Sequence, residues 1–480
     1  MSKTPLSQRL RSLRPGHATT RSILKAAGIF GGVRVLTILC SLIRTKLIAV
    51  FVGPFGVGLI SLYNSVSDIV STLSRLNIDQ SATRDISQSS GANIDRISAV
   101  VMRATWILGL LGALALCLLS PILSNWCFGN TDLWWTFCIL ALVPLGNALY
   151  SGVGAIFQGT RNFKPLAKMG IYSTIAAIII SVPLIITLKK DSIIWVLATY
   201  GLSSITAAIY YRRHSKHIQL PWHEIWSTSK SFIKLGALIT AGALVGQLFN
   251  YLFIIYLNKN AGTETLGIYQ AGYTLVNAYV GVFFTGMWVE FLPRLSALAH
   301  SAKRTSITVS HQITTTAWLL MPIIGCFICA DKLIIKILYA DTFNAMLPFI
   351  TLGIAGVLLR AVSWCIAHTM LAKGDGAIYV VTETVSSIIF LILHITLYNT
   401  HGFLGLGIAY IIWYICYLAI VYIIYHRRYR LTIHREAWQV LTVATTFVAL
   451  CVTAKWLISW WLPLILTIAI LPYSIRRLRK

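Results

Sequence analysis

Apolar stretches of about 20 residues follow one another from Ser22 to Ile475, and the short polar segments between them alternate between strongly basic and nearly uncharged. A helix needs roughly 20 apolar residues to cross about 30 Å of hydrocarbon. Within that layer only helices or closed barrels satisfy their own backbone polar groups, and barrel strands would read as short alternating segments, which this chain does not show. The pattern predicts an all-α integral membrane protein with about 14 transmembrane helices, at about 22–51, 55–76, 98–120, 133–157, 168–188, 192–211, 232–257, 265–292, 306–329, 343–371, 378–398, 404–425, 437–457 and 459–475.

Charge placement sets the expected orientation. About 30 of the 40 Lys and Arg residues lie in Lys3 to Lys25, Arg75 to Arg103, Arg161 to Lys168, Arg212 to Lys234, Arg294 to Arg304, Lys373, Arg427 to Arg435 and Arg476 to Lys480. Roughly eight lie on the other side: Arg44, Lys46, Lys189, Lys190, Lys259, Lys332, Lys336 and Lys455. Positive residues concentrate on the cytoplasmic side of membrane proteins, so both termini are expected there, and an even number of spans agrees. The basic stretch up to Arg21 reads as a cytoplasmic tail, because the apolar run after it is too long for a signal peptide.

With 57% hydrophobic and 11% charged residues and a mean hydropathy of +0.75, there is no room for a sizeable soluble domain. A net charge of +26 would point to nucleic acid in a soluble protein. Here it is spent on alternate loops as a topology signal, and no nucleic-acid partner is expected. The nine cysteines are scattered, mostly inside spans, as small packing residues. Cys326 and Cys329 form a C-x-x-C without a second pair or nearby His, so no metal or redox site is expected. No phosphate-binding loop, acidic metal cluster or nucleophile-base arrangement is visible. The chain is therefore read as a non-enzyme with no catalytic residues, metal or cofactor.

The two halves repeat at an offset of roughly 210 to 215 residues. FGVGLISLYN after span one matches TLGIYQAGYT opening span eight, FQGTRNFKP after span four matches LAKGDGAIY after span ten, and spans six and twelve end in IYYRRH and IYHRRY. An offset of six spans makes the repeat parallel, with an axis along the membrane normal, as in transporters whose site lies between two halves. The expected organisation is a tail at 1–21, a six-helix bundle at 22–211, a cytoplasmic linker at 212–231, a second six-helix bundle at 232–425, and a C-terminal hairpin with a basic tail at 426–480.

Charges inside spans mark candidate chemistry. Arg34 and Arg360 lie roughly 18 and 20 Å into spans one and ten at 1.5 Å per residue. A charge at that depth costs at least about 2.5–3.5 kcal/mol on insertion scales, so each is expected to face a polar cavity, a partner or a substrate. One arginine from each half would suit an anion. Arg44 and Lys46, near the far end of span one, either snorkel to headgroups or line the same cavity. Asp68 and Glu383 lie roughly 9–10 Å inside spans two and eleven and are candidate coupling or ion-pair residues. Glu290 and Arg294 read as a structural i,i+4 pair, and His368 and His394 as hydrogen-bonded packing residues.

KLIAVFVGPFGVGL (Lys46 to Leu59), CFGNTD after span three, GIYQAGYTLVNAYVGVFF closing with LPRLSAL, LAKGDGAIYVVTE and HGFLGLGIAY occur in an order that resembles the Wzx-type polysaccharide flippases of the multidrug/oligosaccharidyl-lipid/polysaccharide exporter superfamily. That resemblance implies two six-helix bundles facing a central cavity. It also implies an undecaprenyl-diphosphate-linked oligosaccharide, such as an O-antigen repeat unit, as the substrate moved between leaflets. Lys46 and Glu383 fall within the family-like segments, whereas Arg34 and Arg360 come from depth alone. The extra hairpin past Arg435 is a departure from members with 12 spans.

The expected function is thus a flippase working by alternating access in the bacterial inner membrane. Arg34, Arg44, Lys46 and Arg360 would hold the diphosphate, and Trp288 and Trp364 are candidates to stack on sugars. Membrane lipids, a polysaccharide polymerase and glycosyltransferases are the expected partners. The alternatives are a cation-coupled multidrug antiporter of the same superfamily, which deep arginines disfavour, and a non-transporting scramblase or assembly partner.

Overall fold

The computed structural model describes residues 36–76, 78–89, 92–160, 162–214, 222–279, 281, 291–292, 294–459 and 461–478. They are helical almost throughout, with no strand among the described residues. In chain order the helices are α1 (36–51), α2 (Gly53–Arg75), α3 (Ile78–Gln88), α4 (Ala92–Phe128), α5 (Trp134–Leu140), α6 (Leu142–Gly159), α7 (Phe163–Leu188), α8 (Ser192–Ala198) and α9 (Leu202–His214). There follow α10 (Trp222–Thr274), α11 (Ala302–Leu338), α12 (Leu347–Ala372), α13 (Gly376–Arg427), α14 (Arg435–Leu457) and α15 (Leu462–Leu478).

Eight helical stretches among the described residues are long and apolar enough to cross a bilayer, and the chain is a multi-pass membrane protein. Both α10 and α13 contain a glycine with non-helical backbone, Gly262 and Gly402, at which the chain doubles back, so each is a pair of spans. Gly53, Gly129, Gly262 and Gly402 have positive φ, a conformation that costs glycine little. With Lys189 they mark the turns at one end of the bundle, here the turn end. Leu76, Gly374 and Arg430, also at positive φ, mark the basic end, where the Arg and Lys clusters lie.

Several elements depart from the sequence expectation. The span expected at 133–157 is present as Trp134–Gly159, with a single turn residue at Ala141, whereas the one at 192–211 is interrupted by a 3₁₀ turn at Thr199–Gly201. The stretch between spans two and three, read as a basic loop, contains α3. Ile78, Ala82 and Ile86 at i, i+4, i+8 bury one face of α3, and Thr83 Oγ1 donates to Ala155 O at 3.4 Å. The sequence-predicted residues Arg34, Glu290 and Trp288, together with the expected linker 212–231 in part and the tail 1–21, lie outside the described residues.

Outer faces are apolar: Leu110, Leu111, Leu114 and Leu118 of α4, Ile179 and Ile180 of α7, and Val381, Val385, Ile388 and Ile392 of α13 are all exposed. Lipid tails solvate leucine as well as another helix does, so close packing and polar contacts must hold the bundle together. Glycines supply the closeness. A Cβ at Gly112 would overlap Ser74, at Gly152 it would press on Thr105, and at Gly325 it would overlap Thr467. This last contact seats α15 on α11.

The C-terminal hairpin is fixed by charge as well. Lys455 of α14 forms an ion pair with Asp331 of α11 and donates to Ile328 O at 2.8 Å. Asp331 also accepts from Thr351 of α12 at 2.8 Å, and the two charged side chains are only 10% and 1% exposed. Outside the core, Trp126, Trp134, Trp135, Trp195, Trp456 and Trp461 are exposed, all within a few residues of the turn end.

Candidate functional site

The membrane-embedded polar groups of the C-terminal half gather where α10 departs from α-helical geometry. Residues Leu275–Tyr279 form a π-helical turn, a bulge that often marks a functional position because it re-aims side chains. It brings Asn277 to Arg360 of α12, whose Nη1 donates to Asn277 Oδ1 at 2.5 Å. Tyr410 OH donates to the same oxygen at 3.2 Å, and Tyr273 and Tyr414 stand near the guanidinium. Arg360 is half-buried, its plane fixed by an amide and ringed by phenols. Such a setting orients a guanidinium within the membrane.

A row of tyrosines on α13 leads away from it. Rings 410 and 414 are 4.9 Å apart and 414 and 417 are 6.3 Å apart, as expected for residues three and four positions apart on one helix face. Tyr417 OH donates to Glu383 Oε1 at 2.5 Å. Glu383 and Arg360 are thus connected through three phenols rather than by direct contact. His394 is buried against Phe390 and Trp413, with Nδ1 2.9 Å from Phe390 O. His368 packs on Trp364 at 4.1 Å between rings.

The other candidate residues are distributed differently. Asp68, on α2, is exposed and makes no hydrogen bond or ion pair with any described residue. Arg44 is half-buried on α1, while Lys46, one turn before the end of that helix, is engaged: its Nζ donates to Lys336 O at 2.8 Å and to Tyr339 O. These are carbonyls at the C-terminal end of α11. The structure therefore shows Lys46 joining the two halves of the chain, a contact the sequence gives no sign of.

More contacts between the halves gather at the turn end. Asn258 donates to Cys127 O at 2.8 Å, and Tyr251 OH lies 3.3 Å from Cys127 Sγ. A Cβ on Gly267 would overlap Pro54 O, and one on Gly58 would overlap Thr263 O, so the two backbones touch. Deeper in the membrane, Gln247 of α10 donates to Thr72 of α2 at 3.1 Å. At the basic end, the LAKGDG segment ties the C-terminal half together: Lys373 Nζ donates to Ala299 O at 2.9 Å, and Asp375 accepts from Tyr429 OH at 2.7 Å and Arg428 Nε at 3.2 Å. Those hydrogen bonds hold the Asp375 carboxyl below its usual pKa.

Asn277, Tyr410 and Tyr417 were not among the sequence-predicted site residues. The spacing of Tyr410, Tyr414 and Tyr417 was a readable signal, a polar-tipped aromatic face inside an apolar span, while nothing marked Asn277.

The helical fold resembles that of solved transporters of the multidrug/oligosaccharidyl-lipid/polysaccharide exporter superfamily. A solved structure described as lipid II flippase MurJ in an inward closed conformation superposes with a TM-score of 0.67 at 14% identity, covering 94% of this chain and 99% of that one. An inward-facing multidrug resistance transporter of the MATE family also reaches 0.67, at 12% identity over 82% of this chain and 94% of that one. A family profile described as polysaccharide biosynthesis protein matches residues 47–348, and the chain belongs to that family. The protein named lipid III flippase of Escherichia coli (strain K12) is 23% identical over 422 residues, 85% of this chain and 100% of that protein, and the Shigella flexneri protein of the same name matches equally.

Proposed function

We propose that the chain is a flippase that moves an undecaprenyl-diphosphate-linked oligosaccharide, an O-antigen or related repeat unit, from the cytoplasmic to the periplasmic leaflet by alternating access. The observation that carries this reading is the alignment with a protein named lipid III flippase along that protein's entire length. The geometry supports it. The hard step is to carry a diphosphate and sugars through hydrocarbon while the polyprenyl tail stays in lipid. A guanidinium inside the membrane offsets the loss of phosphate hydration through charge-assisted hydrogen bonds, and Arg360 is such a group, oriented by Asn277.

In this proposal Arg360, Arg44 and Arg34 supply the positive charge for the diphosphate, and Glu383 and Asp68 are the coupling or ion-pair carboxylates. The functional units are the two six-helix bundles at 22–211 and 232–425, joined by 212–231. The chain sits in the inner membrane with both termini cytoplasmic, receiving its substrate from glycosyltransferases and passing it to a polymerase.

The test is reconstitution in proteoliposomes with a defined lipid-linked oligosaccharide and a leaflet-accessibility assay. The parent protein is expected to expose the glycan on the opposite leaflet and Arg360→Ala to abolish this at normal insertion. Arg360→Lys will keep partial activity where charge suffices and little where the planar fork is needed. Normal transport by Arg360→Ala would remove the diphosphate role. The multidrug reading, favoured by the equal overlay on a MATE transporter, predicts extrusion of organic cations instead and no glycan movement.

A further inference from the structure

We propose that Lys46 is a latch that holds the two halves of the chain together at the turn end, by capping the C-terminal carbonyls of α11, and that it lets go when that end opens. The inference rests on the flippase reading only for its place in a cycle. The contact itself is independent of any substrate.

The last carbonyls of a helix have no partner within it, and they sit at the negative end of its dipole, where a cation is favoured. The structure puts the Lys46 ammonium there, on the oxygens of Lys336 and Tyr339. Tyr339 is the C-cap residue, extended at φ −128° and ψ −154°, and its ring is buried with its hydroxyl 3.4 Å from Ala271 O. Five residues before Lys336 on the same helix, Asp331 is anchored to α14 and α12 through Lys455 and Thr351. The end of α11 is therefore fixed within the C-terminal half, and the bond from α1 reaches across to it from the other half.

Neighbouring residues make this a closed contact rather than a lone surface lysine. Ala49, three residues on from Lys46, is 2% exposed and packs in the core built mainly by the C-terminal half. At the adjoining turn the backbones at Pro54 and Gly58 touch those at Thr263 and Gly267 so closely that no side chain fits. Yet the described partners of Lys46 are neutral carbonyls. An ammonium on carbonyls can be given up to water when the end parts, whereas a buried ion pair would hold it.

The latch is tested by hydrogen exchange with mass spectrometry on the full-length protein in lipid nanodiscs without substrate, comparing the parent with Lys46→Met and Lys46→Arg. A cation at a helix C-terminus changes an opening equilibrium by about twofold to thirtyfold. Lys46→Met is expected to raise exchange by that factor in the segment from Leu338 to Phe343 and in that from Gly53 to Gly58. The segment from Lys373 to Ile378, at the basic end, keeps its protection. Lys46→Arg keeps the parent pattern.

Unchanged exchange at the turn end in Lys46→Met would overturn the latch, as would an equal rise at both ends, which reports general loosening. A latch confirmed by exchange in a protein that moves no lipid-linked glycan would refute the flippase reading and leave the latch standing.

Discussion

The ion pair between Lys455 and Asp331 gives the accessory hairpin a measurable hold on the rest of the bundle. Asp331 is 1% exposed and Lys455 is 10% exposed, so removing one member leaves the other in a place with little water. Lys455→Met strands the carboxylate, which keeps donors only from Thr351 at 2.8 Å and from the Lys332 amide at 2.6 Å. Breaking a buried pair in this way costs about 3–5 kcal/mol. Asp331→Asn is milder, about 1–3 kcal/mol. The lysine then still has the Ile328 carbonyl at 2.8 Å, lies two residues from the end of its helix at Leu457, and can lift its head toward the interface. In the Asp331→Asn background no charge is stranded, and Lys455→Met is expected to cost less than about 1 kcal/mol, a coupling of about 2 kcal/mol or more in the double-mutant cycle. Reversible unfolding by SDS in mixed micelles measures all four variants. An equal cost of Lys455→Met in both backgrounds, or a cost below about 1 kcal/mol in the parent, would show that the pair does not hold the hairpin.

Two further outcomes follow from the site and the charge map. Glu383→Gln is expected to bind the lipid-linked glycan as the parent does while losing the stimulation of transport by a pH gradient in proteoliposomes; a variant as gradient-sensitive as the parent would make Glu383 only the acceptor of the Tyr417 hydrogen bond. A cysteine near Gly262 is expected to react with an impermeant thiol reagent in intact cells and one in the 212–230 linker to be protected, whereas the opposite labelling would invert the orientation and the cytoplasmic placement of both termini.

The positions of the spans were legible because a run of apolar residues as long as the bilayer is thick needs no tertiary information to be seen. Their ends were not. The third span was expected at 98–120, but α4 runs from Ala92 to Phe128, since the apolar run that reveals a span does not mark where its helix stops. The helix α3 was missed because 11 residues are too few to span; its buried face, Ile78, Ala82 and Ile86, was present in the pattern at a length that a search for spans ignores. Arg360 stood out as a charge in an apolar run, yet its partner Asn277 lies 83 positions away, and the π-turn that aims it has no sequence mark. The bonds of Lys46 go to backbone carbonyls, which every residue has, so no reading of side chains could have found them.

The exposed tryptophans near the turn end act as a waterline. Indole rings settle at the level of lipid headgroups, and Trp126, Trp134, Trp135 and Trp195 come from the N-terminal half and Trp456 and Trp461 from the hairpin. That surface of the protein is therefore moored mainly by indole rings on the N-terminal half and the hairpin, while the opposite surface carries the arginine and lysine clusters together with Trp438 and Tyr473. The balance of rings and charge differs between the two surfaces, so lipid composition acts on them differently. Anionic lipid strengthens the grip at the basic end, and a thicker or thinner bilayer must be accommodated by tilt or by local deformation of the lipid. The depth at which the Arg360 guanidinium rides is thereby set by rings that never touch it.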